Sequence, residues 1–263
     1  SELQGQIVGA AAVAFSLAQP IRQAIEFESA MSDVRKVVDF DTPEQFAQMQ
    51  QDILRMGRTL PLAHEGLAAL VAAGGQAGLA REELAKFAED AAKMATAFDG
   101  LSADDAGKMM ANWRTAFKMS QDEVRALSDQ INYLSNVTAS DTTTISDIVT
   151  RVGALGDVAG VSSASIAAIG TTMASVGVGS DVAATGIKNF MLSLVAGEAA
   201  TKSQREAFKK LGLDSEQVSK DMQKDSEKTI LKVLQGVSKL SKAEQATTLQ
   251  QLFGKESIGA IAP

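Results

Sequence analysis

Four short stretches of this chain carry the same helix-start signal. They are Thr42-Pro43-Glu44-Gln45, Ser120-Gln121-Asp122-Glu123, Ser241-Lys242-Ala243-Glu244 and, in weaker form, Asp214-Ser215-Glu216-Gln217. In each, an oxygen-bearing side chain is followed three positions on by Glu or Gln. Such a pair satisfies two of the backbone N–H groups that a helix start leaves without partners. Ser102 and Ser180 read as further N-caps, and Gly57, Gly78, Gly100 and Gly212 stand where helices stop. A chain punctuated this often is built of short helices.

The pattern predicts helices over 3–18, 20–39, 43–57, 63–76, 80–98, 103–118, 121–136, 142–157, 164–176, 181–196, 203–211, 215–223, 226–240 and 242–253. The Thr-rich run "VTASDTTTISDIV" has β-propensity. Asp141 ahead of Ile145, Ile148, Val149 and Val152 favours a capped helix there instead. The expected fold class is all-α: a multi-helix globular bundle of short helices and helical hairpins, without significant β-sheet. Aromatics make up only 5% of the 263 residues, so the core must be built from Ala, Leu, Val, Ile and ten Met.

Composition also narrows function. A formal charge of −7 argues against a protein whose main task is gripping nucleic acid, which needs clustered Lys and Arg. The chain has no Cys, which excludes disulfides, thiol catalysis and zinc fingers. Neither end, Ser1 nor "SIGAIAP", reads as a natural boundary, so the chain is expected to be a piece of a longer protein. Two regions are expected: an apolar Ala/Gly-rich helix over 1–19 and a helical domain over 20–263. A shift of 82 residues aligns "LVAAGGQAGLAREELAKF" (70–87) with "VGALGDVAGVSSASIAAI" (152–169). This suggests a pseudo-repeat relating 60–110 to 142–192. Duplication and the shared physics of helical hairpins both account for it.

No residue set reads as catalytic, cofactor-binding or metal-binding. His64 is the single His, and no G-x-S-x-G elbow accompanies it. The pairs Glu82-Glu83 and Asp104-Asp105 fall in first helical turns, where negative charge favours the helix dipole. "AAGGQAG", "GVGSD" and "FGKES" lack the spacing of a phosphate loop and read as turns between helices. Residues 7–18 carry no charge. A helix over 3–19 would be ~25 Å long, slightly short of a ~30 Å hydrocarbon core. A buried or oligomer-packing helix and a membrane-inserting segment both remain open for it. Candidates for packing or interface contacts are Phe27, Met31, Val34, Phe40, Pro43, Phe46, Trp113, Phe190 and Phe253. The first three share one apolar helix face. Pro43 is suited to the first position of the next helix.

The run "AIEFESAMSDVRKVVDFDTPEQF" (24–46) resembles the core region of phage tail tape-measure proteins, of the kind found in contractile-tailed temperate phages. The resemblance continues through "LAALVAAGGQAGLAREELAKFAEDAAKMATAFD" (67–99) and "GALGDVAGVSSASIAAIGTTMASVGVGSDVAATGIKNFMLSLV" (153–195). It ends through "FKKLGLD" (208–214) and "LQQLFGKESIGAI" (249–261), and so covers roughly 20–263. It implies a structural virion protein, not an enzyme, that sets tail length while the tube polymerises around it. It implies residence in the tube lumen, with host cytoplasm as the site of assembly, and release before DNA on ejection. Implied partners are further copies of itself, the tail tube protein, tail-assembly chaperones, baseplate or tail-tip proteins and, on ejection, the host membrane. No specific nucleic-acid binding and no cofactor are implied. The alternative function is a membrane-inserting helical module that forms a channel for DNA entry. As one continuous helix the chain would span ~390 Å. The density of caps and stops predicts a folded module instead.

Overall fold

The computed structural model describes the backbone of residues 2–254 and the side chains from residue 19 onward. Among these residues there are fourteen α-helices and no strand, so the chain is all-α as its sequence predicts. It divides into two compact units, 1–111 and 112–263, and the division falls between Ala111 and Asn112.

Unit 1 begins with α1 (Glu2–Val37), followed by α2 (Pro43–Met56), α3 (His64–Gln76), α4 (Arg81–Ala97) and the first part of α5 (Ala103–Ala116). Two helices, 3–18 and 20–39, were expected where α1 is one, with Pro20 inside it. The observed helix runs through it. A proline removes one hydrogen bond from the ladder, and a long helix with intact turns on both sides can tolerate that loss. The α3 helix is the centre of the unit. It buries Leu67, Ala68, Leu70, Val71, Ala72 and Gly74, on more than one face. On one side lies α1, through Met31 and Val34, with Val38 just past its end; on another lies α4, through Leu84, Phe87, Ala88 and Ala91. The Phe27 ring meets His64 at the start of α3 edge-on, with centroids 5.9 Å apart. Val37 and Val38 pack on Gly75 near its end. The two helices therefore run parallel, and α2 is the return between them.

Unit 2 takes the end of α5, then α6 (Gln121–Val137), α7 (Thr142–Val152), α8 (Ala154–Ala159), α9 (Ser163–Ser175) and α10 (Ser180–Val195). A 3₁₀ turn (Gly197–Ala199) leads to α11 (Lys202–Lys210), α12 (Ser215–Lys224), α13 (Ser226–Ser238) and α14 (Lys242–Phe253). Its core lies where α7 packs on α9 and α10, filled by Ile145, Ile148, Val149, Ile166, Ile187, Phe190 and Leu194. The single helix expected over 142–157 is two. Gly153 breaks it with φ +51°, a backbone region that L side chains rarely adopt.

The caps are met unevenly. Ser120 and Glu123 form a full capping box, and Asp214 accepts the Glu216 and Gln217 N–H groups at 3.1 and 3.0 Å. Glu244 accepts the Ser241 N–H at 3.1 Å, and Ser102 accepts the Asp105 N–H at 3.1 Å. Thr42 makes no side-chain cap bond, because Gln45 reaches past it to the N–H of Asp41 at 2.7 Å. Ser180 does not cap either. Gly179 holds that position, and the Ser180 hydroxyl donates to the Asp147 carboxylate, tying α10 to α7. Thr201 and Gln204 form a capping box that sequence reading passed over.

The hairpins 70–87 and 152–169 have the same turn, position by position. Leu79 N–H donates to Gly74 O (3.1 Å), and Val161 N–H donates to Gly156 O (2.8 Å). The C-terminal glycines have φ +78° at Gly78 and +69° at Gly160. A Cβ on Gly74 would stand 2.8 Å from Leu84, and one on Gly156 would stand 2.6 Å from Ile166. Each pair is related by the same 82 positions, as are the helix starts Arg81 and Ser163.

Candidate functional site

The corner between α1 and α2 gathers aromatic, cationic and acidic side chains. The α1 ladder closes with Val38 N–H on Val34 O, and α2 begins at Pro43, whose fixed φ and missing N–H suit a helix start. The five intervening residues place Phe40 between Asp39 and Asp41. Phe40 meets Phe46 of α2 edge-on, with centroids 5.2 Å apart and planes at 85°. The Arg35 guanidinium lies over the other ring, 4.0 Å from the Phe46 centroid. Both arrangements match the aromatic quadrupole: a positive edge or cation against a negative face.

A long-range clamp holds the corner. Arg81, at the start of α4, donates from Nη1 to Gln45 Oε1 (2.6 Å) and Asp41 Oδ2 (3.2 Å), and from Nη2 to Glu82 Oε1 (2.6 Å). Gln45 thus accepts from both Arg81 and the Asp41 backbone. The Arg81 hydrogen bond, followed by that of Gln45, holds the Asp41 carboxyl below its ordinary pKa. The Arg81 guanidinium is raised in turn, first by its hydrogen bond to Asp41. The Asp41 and Glu82 carboxylates are largely solvated while Arg81 is mostly covered, so the clamp positions the corner more than it stabilises the fold.

Beside it opens a cavity of about 440 Å³, lined by Arg35, Val38, Asp39, Phe40, Pro43 and Phe46 among others. Two half-buried rings, one stacked cation and two carboxylates suit contact with another polypeptide. They contain no nucleophile paired with a base. Among the described residues no group of three or more His, Asp or Glu side chains is placed to hold a metal ion. His64 begins α3 with its ring against Phe27 and close over Gly57.

The nine candidate residues fall into two groups. In unit 1, Met31 and Val34 are fully buried and Phe27 is half-buried. Phe40 and Phe46 are half-buried on the corner cavity, and Pro43 is exposed at its rim. In unit 2, Trp113, Phe190 and Phe253 are core. The Phe190 and Phe253 rings stack at 4.1 Å with planes 7° apart, and Asn189 Nδ2 donates to the Phe253 carbonyl at 3.0 Å, fastening α14 to α10. Trp113 Nε1–H donates to Thr150 Oγ1 (2.8 Å), which donates to the Ser146 carbonyl (2.8 Å). Sequence reading missed Arg35 and Arg81, and gave Gln45 a capping role beside Thr42 in place of its bonds to Asp41 and Arg81. The four-residue spacing of Asp41 and Gln45 was a usable signal. Arg81 lies 40 positions from Asp41, beyond any local pattern.

The N-terminal membrane reading rests on residues 3–19, nearly all of whose side chains lie outside the described set. Among the described residues no helix is long and apolar enough to cross a membrane.

A family model for phage-related minor tail proteins matches residues 50–254. The chain belongs to that family. It is also 33% identical, over its whole length, to a probable tape measure protein of Halomonas phage phiHAP-1. The chain spans 32% of that relative's length. The tape-measure resemblance read from the residues is thus met by a relative aligned from end to end. No solved structure matches. By family this is a structural protein of the phage tail.

Proposed function

We propose that this chain is a folded helical module of a tape-measure protein. It contributes to tail length during assembly, sits in the tail tube lumen and leaves before DNA on ejection. The observation that carries the proposal is the alignment of the entire chain with part of a much longer probable tape measure protein. The fold supports it: two helical units, each with its own core, and a corner cavity whose chemistry suits protein contact rather than catalysis. In this reading the module is not an enzyme. Its partners are further copies of itself, the tail tube protein, assembly chaperones and baseplate or tail-tip proteins. It is made in the host cytoplasm and works in the virion tail.

A single cysteine tests the location, because the chain has none of its own. Val158 is 70% exposed and tolerates a small thiol. In phage whose parent gene carries Val158→Cys, an impermeant maleimide should leave intact tails unlabelled and label the protein after ejection is triggered. Labelling of intact tails would place the module outside the lumen.

A further inference from the structure

The chain is acidic overall, at −7, yet its stretch 202–242 holds ten basic residues against six acidic ones. Part of that excess gathers on the outer face of α13. This helix turns Thr229, Ile230, Val233 and Val237 into unit 2. Lys228, Leu231, Lys232 and Gln235 share its other side and are all exposed. Lys224, the last residue of α12, stands beside them. Two cavities flank the row. One, of about 470 Å³, is lined by Lys228, Leu231, Lys232 and Gln235 among others. The second, of about 310 Å³, is lined by Asp221, Lys224, Lys228 and Lys232 among others. None of the ion pairs among the described residues includes Lys224, Lys228 or Lys232. The nearest carboxylates have other tasks. Asp225 accepts the Lys228 backbone N–H (3.0 Å) as the cap of α13, and Asp221 accepts from Gln217 Nε2 (2.7 Å). Lys228 also stands in the first turn of α13, where the helix dipole disfavours a cation. Helix stability therefore gives no reason for a lysine there. Leu231, 50% exposed between the lysines, gives the row an apolar centre.

We propose that the outer face of α13 is the docking surface for an acidic amphipathic helix of a partner protein. Charge complementarity selects the occupant. Lys228 and Lys232 lie one turn apart, about 6 Å along the axis. Carboxylates one turn apart on a second helix match that spacing, and a third carboxylate reaches Lys224. An apolar side chain among them covers Leu231, in the manner of a helix laid in a groove. The lysines break no existing ion pair to meet this partner. A nucleic-acid backbone fits less well. It carries a charge at every step, so it would meet Asp221, Asp225 and Glu227, which line the same two cavities. It also has nothing apolar to set against Leu231. A folded helix places its carboxylates at chosen points and avoids those acids. The proposal goes beyond the tail reading and stands apart from where in the virion the module sits.

The test uses the whole 263-residue chain. The probe is a fluorescein-labelled helical peptide of about five turns, with Glu one turn apart along one face, Leu between them and no basic residue. Fluorescence anisotropy should show one peptide bound per chain, more weakly as salt is added. Lys228→Glu with Lys232→Glu should weaken binding at least about tenfold, and Leu231→Ser about fivefold. The same peptide with Lys in place of Glu should not bind. Melting temperatures of the variants should match the wild type, since all three positions are exposed. No binding at about 1 mM peptide overturns the proposal. So does binding that survives the double Glu variant, or that is indifferent to Leu231→Ser. A fall in melting temperature in the double Glu variant also overturns it, because the lysines would then serve the fold. Duplex DNA or phosphatidylglycerol vesicles bound more tightly than the peptide, through the same lysines, would make phosphate the ligand and overturn it as well. These outcomes are separate from tail length, which is read from assembled tails.

Discussion

Trp113 offers a quantitative check on how unit 2 is held together. It is the single tryptophan, fully buried, and its indole N–H donates at 2.8 Å to Thr150, itself bonded to the Ser146 carbonyl. Trp113→Phe removes one net hydrogen bond, about 1 kcal/mol, and part of a ring from a packed site, about another 1 kcal/mol. Thr150→Val keeps the shape but leaves the indole N–H buried without its acceptor, which costs about 1–3 kcal/mol. In the double variant both polar partners are gone, so the second change adds little. The coupling energy should be about 1 kcal/mol. For a unit of this size each kcal/mol lowers the melting temperature by about 2–4 °C, so Trp113→Phe should lose about 4–8 °C. Urea unfolding of all four proteins, followed by circular dichroism, gives the cycle. Trp113 fluorescence marks the relevant transition in the wild type and in Thr150→Val. Single losses that add to within about 0.3 kcal/mol would refute the claim that the indole bond secures α5 to α7.

Two further outcomes follow from the glycines and the corner clamp. Gly74→Ala and Gly156→Ala should each destabilise by about 1–3 kcal/mol, because the new Cβ would stand 2.8 Å from Leu84 or 2.6 Å from Ile166. Gly66→Ala, with nothing within 4 Å, should stabilise α3 by up to about 1 kcal/mol; thermal melts showing the same sign at all three sites would contradict this. Asp41→Asn removes a carboxylate whose pKa is depressed, first by Arg81 and then by Gln45. Its small contribution is complete above the ordinary carboxylate pKa of about 3.9 and is lost as pH falls through the depressed folded value. The stability gap between wild type and variant should therefore hold from neutral pH down to that point and then close. A gap unchanged in strong acid would show that the clamp does not act through Asp41.

Helix-forming rules made the fold class readable, because caps and glycine stops are local. Ser120, Asp214 and Gly78 do what their neighbours in sequence dictate. The misses arise where tertiary structure supplies the stronger partner. Ser180 gives its hydroxyl to Asp147, 33 positions away, and Thr42 yields its role to Gln45, which Arg81 fixes from another helix. Pro20 does not end α1, since one missing bond is small against a long ladder. Gly153 does end α7, since its positive φ cannot continue a right-handed helix. The corner was visible as an aromatic and proline cluster. Its cavity and clamp needed the fold, because Arg35, Phe46 and Arg81 come together only when α1, α2 and α4 are packed.

Tail length is the most direct measure of the central claim. The 263-residue segment can be duplicated in frame within its parent gene and the tails measured by electron microscopy. The account predicts uniformly longer tails, with an increment of at most the ~390 Å of a fully extended helix, and less if the added copy stays folded. Tails of unchanged length would show that this module takes no part in the ruler.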